Sequence, residues 1–264
     1  MLRSLFAGIS GLRVNQTMLD VTGNNIANAN TTGFKSSSAV FSDTLSQMLT
    51  AASGENAERG GTNPIQVGLG VQLAATMTNL NQGSAQTTGR ATDLMIQGDG
   101  FFVVQDGEEE LYTRAGAFTF DETGTLVTPS GMRVQDVNGN DITIDMDNLQ
   151  SYSIGKDGVI RGVDVNGDPW TGPTLAIADF PNPMGLERAG DTAFRVSANS
   201  GDPVIGSAGT GGNGTIMSGA LEMSNVDLAA EFTNLILAQR GFQASSRVIT
   251  TSDQVLEDLV NIKR

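Results

Sequence analysis

All seven prolines of this 264-residue chain fall between Pro64 and Pro203, so the first 63 residues and the last 61 contain none. Proline removes a backbone donor and clashes with the preceding helical turn, so both ends are free to form long helices and the middle is not. Charge divides the chain in the same way. Residues 1–35 hold three bases and one acid, residues 36–220 eight bases and 22 acids, and residues 221–264 four bases and six acids. The middle therefore carries the net charge of -14, which argues against nucleic acid or an anionic membrane as the main partner.

Each end shows apolar residues at alternating steps of three and four. At the amino end the stripe is Leu2, Leu5, Ile9, Leu12, Gln16, Leu19, Gly23 and Ile26. This spacing predicts a helix within residues 1–35, with Gly33 as its stop signal. At the carboxy end the stripe is longer. It runs through Leu228, Phe232, Leu235, Gln239, Phe242, Ser246, Ile249, Asp253, Leu256 and Val260 and predicts a helix over 225–264. Ser224 followed by Asp227 reads as its capping start, and Lys263 and Arg264 suit its negative dipole end.

Between the ends, short alternating runs are separated by glycine turns. Val67, Leu69, Val71 and Leu73 alternate, as do Ile142, Ile144 and Met146, and Val163 with Val165. Asp106-Gly107, Asn138-Gly139, Asp157-Gly158 and Asn166-Gly167 are hairpin signals. The expected fold is α+β, with paired terminal helices in a coiled coil and a mainly antiparallel β domain over 67–224. The small, polar, glycine-rich stretch 36–66 reads as a connector.

The residue inventory excludes most chemistry. With no histidine and no cysteine there is no Ser-His-Asp or Cys-His system, no His-ligated or thiolate metal and no disulfide. Gly209, Gly211 and Gly214 spell a dinucleotide fingerprint, but a strand rather than a helix is expected after it. Asp136, Asn138 and Asn140, and Asp164, Asn166 and Asp168, resemble the start of a calcium loop. Both lack the required glycine and glutamate, so they read as hairpin tips. Glu108, Glu109 and Glu110 read as a solvated turn, and Trp170, between Pro169 and Pro173, as a loop anchor. No catalytic residue, cofactor or metal is expected, no run of residues is a membrane span, and the opening is a poor secretory signal. Two apolar stripes at opposite ends exceed what one helix pair can hide, so they point to neighbouring copies. Copies that add head to tail without closing a ring make a helical filament.

Three separated blocks carry a resemblance. The opening MLRSLFAGISGLRVNQTMLDVTGNNIANANTTGFK contains Asp20, Asn24, Asn25, Ala27, Asn28, Thr31, Gly33, Phe34 and Lys35 in the pattern of the bacterial flagellar rod and hook proteins. GGTNPIQVGLGVQ with QGSAQTTGRATDLMIQGDGFFVV is similar to the family's central region, and the ending from Ser218 resembles its carboxy-terminal motif. The resemblance implies an inner domain of paired terminal helices, an outer β domain, and a hollow helical tube of copies outside the cell. It implies export through the flagellar type III apparatus without a cleaved signal. The implied partners are the chain itself, distal rod, hook cap and hook-filament junction proteins and the export apparatus, with no nucleic acid and no membrane insertion. Within the family, A-Q-R-G-F-Q-A-S-S-R-V-I-T-T-S-D looks like hook, whereas the short chain matches rod length. The reading is a minimal hook subunit that transmits torque as a flexible joint; the alternative is the distal rod protein, a rigid drive shaft. Leu2, Leu5, Ile9, Leu12, Leu19, Ile26, Leu228, Phe232, Leu235, Phe242, Ile249, Leu256 and Val260 are the expected subunit interface.

Overall fold

A computed structural model describes residues 2–55, 60–146 and 148–262. They form two compact units, each made of segments distant in sequence. The first unit collects residues 1–27, 37–78 and 227–264; the second collects 28–36 and 79–226.

The first unit holds two helices, α1 (Leu2–Ala27) and α2 (Leu228–Ile262), with strands β1 (Ser37–Asp43), β2 (Ser46–Thr50), β3 (Ile65–Gly68) and β4 (Val71–Thr78). β1 pairs with β4 and β2 with β3, both antiparallel. The 36–66 stretch, expected as a connector, thus carries two strands and the start of a third. The alternating run from Val67 to Leu73 is split between β3 and β4, because Gly70 turns the chain against Ser10, whose hydroxyl accepts the Val71 amide. α1 stops at Ala27, short of the expected Gly33, because Asn28 to Phe34 close successive tight turns. α2 is capped by Asp227 rather than Ser224. The Asp227 Oδ1 accepts the amides of Ala229 (2.9 Å) and Ala230 (3.3 Å) and satisfies two orphan donors of the first turn. The expected dipole residues Lys263 and Arg264 lie outside the described residues.

The second unit is all strand apart from one 3-10 turn. In chain order it contains β5 (Ala85–Thr87), β6 (Leu94–Gln97), β7 (Phe101–Asp106), β8 (Glu109–Thr113), β9 (Thr119–Phe120), β10 (Leu126–Val127) and β11 (Arg133–Val134). β12 (Leu149–Ile154), β13 (Val159–Asp164), β14 (Pro169–Thr174), β15 (Ile177–Asp179) and β16 (Glu187–Gly190) follow. The last are β17 (Ala193–Arg195), β18 (Val204–Gly206), β19 (Thr215–Ser218) and β20 (Ala220–Glu222). Nine strands form one sheet along the path β16-β17-β8-β7-β11-β10-β9, with β15 and β18 alongside. β12, β13 and β14 form a meander. The run Phe101 to Val104 explains why β7 is central. Phe102 and Val104 enter one apolar cluster with Leu94, Ile96, Phe118 and Ile177, while Phe101 and Val103 enter a second with Tyr112, Phe180 and Phe194. A strand buried on both faces reads as a continuous apolar run. Trp170 lies within β14 and packs against the first cluster, so it is a strand residue rather than a loop anchor. Ile142 and Ile144 are fully buried but form no named strand: their amides reach Val134 and Gly124 across isolated bridges, and Met146 is exposed.

Five hairpin tips among the described residues repeat one design. At Asp121, Thr128, Asp136, Gly155 and Asp164 a carbonyl accepts the amide of a glycine three residues on. At Asp136 the side-chain Oδ1 also accepts the amides of Asn138 (2.8 Å) and Asn140 (2.9 Å). The oxygen of this calcium-like triplet is therefore occupied by the turn's own backbone, as in an Asx turn. Gly209 and Gly211 likewise sit in turns, and β19 follows them, as a strand was expected to.

One hairpin breaks the rule. Gly190 pairs with Ala193 across the two-residue turn Asp191-Thr192, whose φ values are 48° and 57°. Both central residues are left-handed, as in a type I′ turn, but neither is asparagine or glycine. Replacing the pair by Asp191→Asn with Thr192→Gly is expected to stabilise the second unit by about 1 kcal/mol, read as a rise in denaturant midpoint at constant slope. In the β12–β13 turn, paired hydrogen bonds from Arg161 hold the Asp157 carboxyl down at about 2 from 3.8. A depressed acid contributes stability that is complete above its unfolded pKa and lost as pH falls through the folded one, here from about 4 down to about 2. Carboxyl NMR titration should find Asp157 shifted down, and Arg161→Gln should return it toward 3.8; an unchanged midpoint in that variant would refute the pairing.

Candidate functional site

The helix pair of the first unit is held by small side chains. Ser4 Oγ meets Ser252 Oγ at 3.4 Å. A Cβ on Gly8 would touch Ile249 and Val248, one on Gly11 would lie 3.0 Å from Ser245 Oγ, and one on Gly241 would lie 2.4 Å from Asn15 Oδ1. At the other end Asn25 Nδ2 reaches Glu231 Oε1 at 3.1 Å. In these pairs the two residue numbers sum to 256 (4 with 252, 8 with 248, 11 with 245, 15 with 241, 25 with 231), so the helices run antiparallel in constant register. Small residues leave room for the side chains of the facing helix, and Gly241, which costs a free helix about 1 kcal/mol, makes the space that the Asn15 side chain fills.

The seam is therefore Ser4, Gly8, Gly11, Asn15 and Asn25 against Glu231, Gly241, Ser245, Val248 and Ser252, with Ile249 reaching in beside Gly8; Thr22 and Ala238 are buried. The predicted apolar ridges lie one residue further along each helix, rotated by about 100°. In an antiparallel pair those flanks fall on the same side, so the two ridges form one apolar surface. The exposures agree with this placement. Leu5, Ile9, Leu12, Leu19, Ile26, Leu235, Phe242, Ile249 and Leu256 are half-buried. Leu228 is exposed, and Phe232 and Val260 are exposed by 51% and 66%. The Leu2 side chain lies outside the described residues. Periodicity missed further exposed apolar residues on α2, among them Ile236, Leu237, Val255, Leu259 and Ile262. The signal that would have located the seam is the three-four spacing of small residues at 4, 8, 11 and 15.

The asparagines and the G-F-K of the opening motif act as backbone clamps. Within the first unit Asn25 mimics a strand: its Nδ2 donates to the Ser37 carbonyl (2.7 Å) and its Oδ1 accepts the Ser37 amide (3.0 Å). Within the second unit Asn225 does likewise. Its Oδ1 accepts the Ser36 amide (2.8 Å) while its Nδ2 donates to the carbonyls of Asn79 and Asn81. Gly33 has φ +69°, and a Cβ there would lie 2.4 Å from the Ala115 nitrogen, so only glycine fits. Phe34 is stacked under the Arg188 guanidinium at 5.0 Å, and Arg188 also donates to the Lys35 carbonyl.

Lys35 is fully buried. Its Nζ lies 2.5 Å from Glu222 Oε1 and 2.9 Å from the Asn81 carbonyl. Arg114 Nη1 is 3.6 Å from Glu222 Oε2, and the Gly83 amide donates to Oε1 at 2.9 Å. Burial pushes the Lys35 and Arg114 pKa values down, and the Glu222 carboxylate opposes the shift in both. One acid thus serves two buried cations, so its removal should cost more than the removal of either partner. Glu222→Gln is expected to destabilise the second unit by about 3–5 kcal/mol, and Lys35→Met by less because Arg114 still pairs the acid. Chemical denaturation measures both, and the reverse order would overturn this account.

Among the described residues no histidine, cysteine, aspartate or glutamate cluster is placed to hold a metal, and no helix is long and apolar enough to cross a membrane. Comparison with known proteins gives the family. Residues 5–35 match the flagella basal body rod protein family, residues 95–162 the flagellar hook protein FlgE/F/G D1 domain, and residues 217–262 the flagellar basal body rod FlgEFG protein C-terminal family. The chain is 49% identical to the flagellar basal-body rod protein FlgG of Bacillus subtilis over the full length of both. In Borreliella burgdorferi it is 37% identical to the rod protein FlgG and 30% identical to the hook protein FlgE, in each case over the whole of both chains. The chain belongs to the flagellar hook and basal-body rod protein family, whose members are structural components of the flagellum.

Proposed function

We propose that this chain is a rod subunit of the flagellar basal body, polymerising into a hollow helical shaft. The observation that carries the reading is the 49% identity to a basal-body rod protein, end to end over 265 positions. The hook reading, drawn from the A-Q-R-G-F-Q ending, is the weaker one. The alignment with the Borreliella hook protein needs 441 positions for a chain of 264, so 177 of its positions meet no residue here. The rod protein of the same organism aligns over 270.

The mechanism is mechanical. A shaft that carries torque requires subunit contacts that do not slip, and dry apolar contacts between rigid helices supply them. The half-buried ridge of Leu5, Ile9, Leu12, Leu19 and Ile26 and that of Leu235, Phe242, Ile249 and Leu256 are completed by neighbouring copies. The exposed Leu228 and Phe232 at the start of α2 and Val260 near its end extend those contacts. The partners are copies of the chain and the other axial components of the flagellum.

Phe232→Asp with Val260→Asp should abolish polymer in electron micrographs while circular dichroism keeps its β signal, since neither side chain is buried in the monomer. Polymer that persists in the double variant would sink the interface. Expression in a Bacillus subtilis strain lacking its own rod protein should restore motility at least in part; restoration only in a strain lacking the hook protein would favour the hook reading.

A further inference from the structure

The register of the helix pair places Leu2 opposite residue 254, so the last two turns of α2 extend past the described part of α1. Val255, Leu259 and Ile262 lie there at i, i+4 and i+7, on one face of the helix, and all three are exposed, Ile262 by 81%. This is the spacing with which an apolar helix anchors itself in a groove.

The same unit holds such a groove. The far side of α1 and the β3–β4 segment enclose an open cleft of about 600 Å³, lined by Phe6, Val14, Leu69, Val71 and Leu73 among others. Phe6 is 63% exposed at its rim. The α2 of the same chain is a continuous helix laid along the other side of α1, so it leaves the groove open. A ridge and an unfilled groove at separate places on one chain make a heterologous contact, which repeats without closing.

Charge and register together select which part of α2 fits. Arg13 is the single charged residue lining the groove. Beside Leu237 and Val248 on α2 stand Arg240 and Arg247, which Arg13 repels; acids stand beside both 228–236 (Asp227, Glu231) and 255–259 (Glu257, Asp258), but the first stretch lies along α1 of its own chain, where Glu231 accepts from Asn25, and the second runs past it. We propose that the groove receives the segment Val255–Ile262 of a second copy, with Asp258 against Arg13. This rests on the self-assembly reading above and names the surfaces through which it acts.

The chain has no cysteine, so single introduced thiols report contacts cleanly. Full-length Leu73→Cys mixed with full-length Leu259→Cys should give a disulfide-linked dimer on oxidation of sedimented polymer, and neither variant alone should give one. Polymer without the cross-link would overturn the docking while leaving the assembly reading in place; unmodified chain that forms no polymer would overturn both. Arg13→Glu is expected to raise the critical concentration by about tenfold, and Asp258→Arg added to it should restore assembly. Failure of the second change to rescue the first would refute the ion pair.

Discussion

The close approach of α1 and α2 sets the character of the first unit. Small residues take most of the seam positions, and at Gly8 the space so left is filled by Val248 and Ile249 of the other helix. The leucines, isoleucines and phenylalanines of both helices are therefore displaced onto the flanks, where a solitary molecule covers them only in part. A conventional coiled coil buries its large residues in its own seam and ends with a polar exterior. This pair does the reverse. Its internal contact consumes small residues, and its apolar surface remains available for assembly.

The second unit depends on a different device. Glu222, near its carboxy end, receives Lys35 and stands beside Arg114, while the Gly33 amide donates to the Glu222 carbonyl at 2.8 Å. The opening motif and the closing motif are thus held together by one buried carboxylate and its backbone. A buried charge cluster adds little net stability compared with apolar packing, but it tolerates few alternative pairings. It fixes which segments meet.

Much of the fold was legible before the structure. The proline distribution separated helical ends from a β middle, and the Asn-Gly and Asp-Gly pairs marked the hairpin tips. The apolar surface proposed for assembly was legible only in part. Counting apolar residues finds the ridge and overlooks the seam, because close approach is encoded by what is missing from a side chain. Lys35 could not be read at all: a lysine beside a polar stretch looks solvated, and its acid lies 187 positions away. Ile142 and Ile144 alternate like a strand, yet their backbone partners come from several segments through single bridges. Asp136 and Asp164 resemble the start of a calcium loop but read as hairpin tips, which they are; a tight turn and a calcium loop ask for the same residues, an acid or amide with oxygens to spare.

The distance between Lys35 and its acid has a temporal consequence. Closing a loop of 187 residues costs on the order of 5 kcal/mol of chain entropy, and the Lys35–Glu222 pair does not form until that cost is met. A chain emerging amino end first from a ribosome or a narrow conduit holds Lys35 long before Glu222 arrives. The lock cannot shut on a partial chain, so the second unit stays unlatched until nearly all of the polypeptide is through.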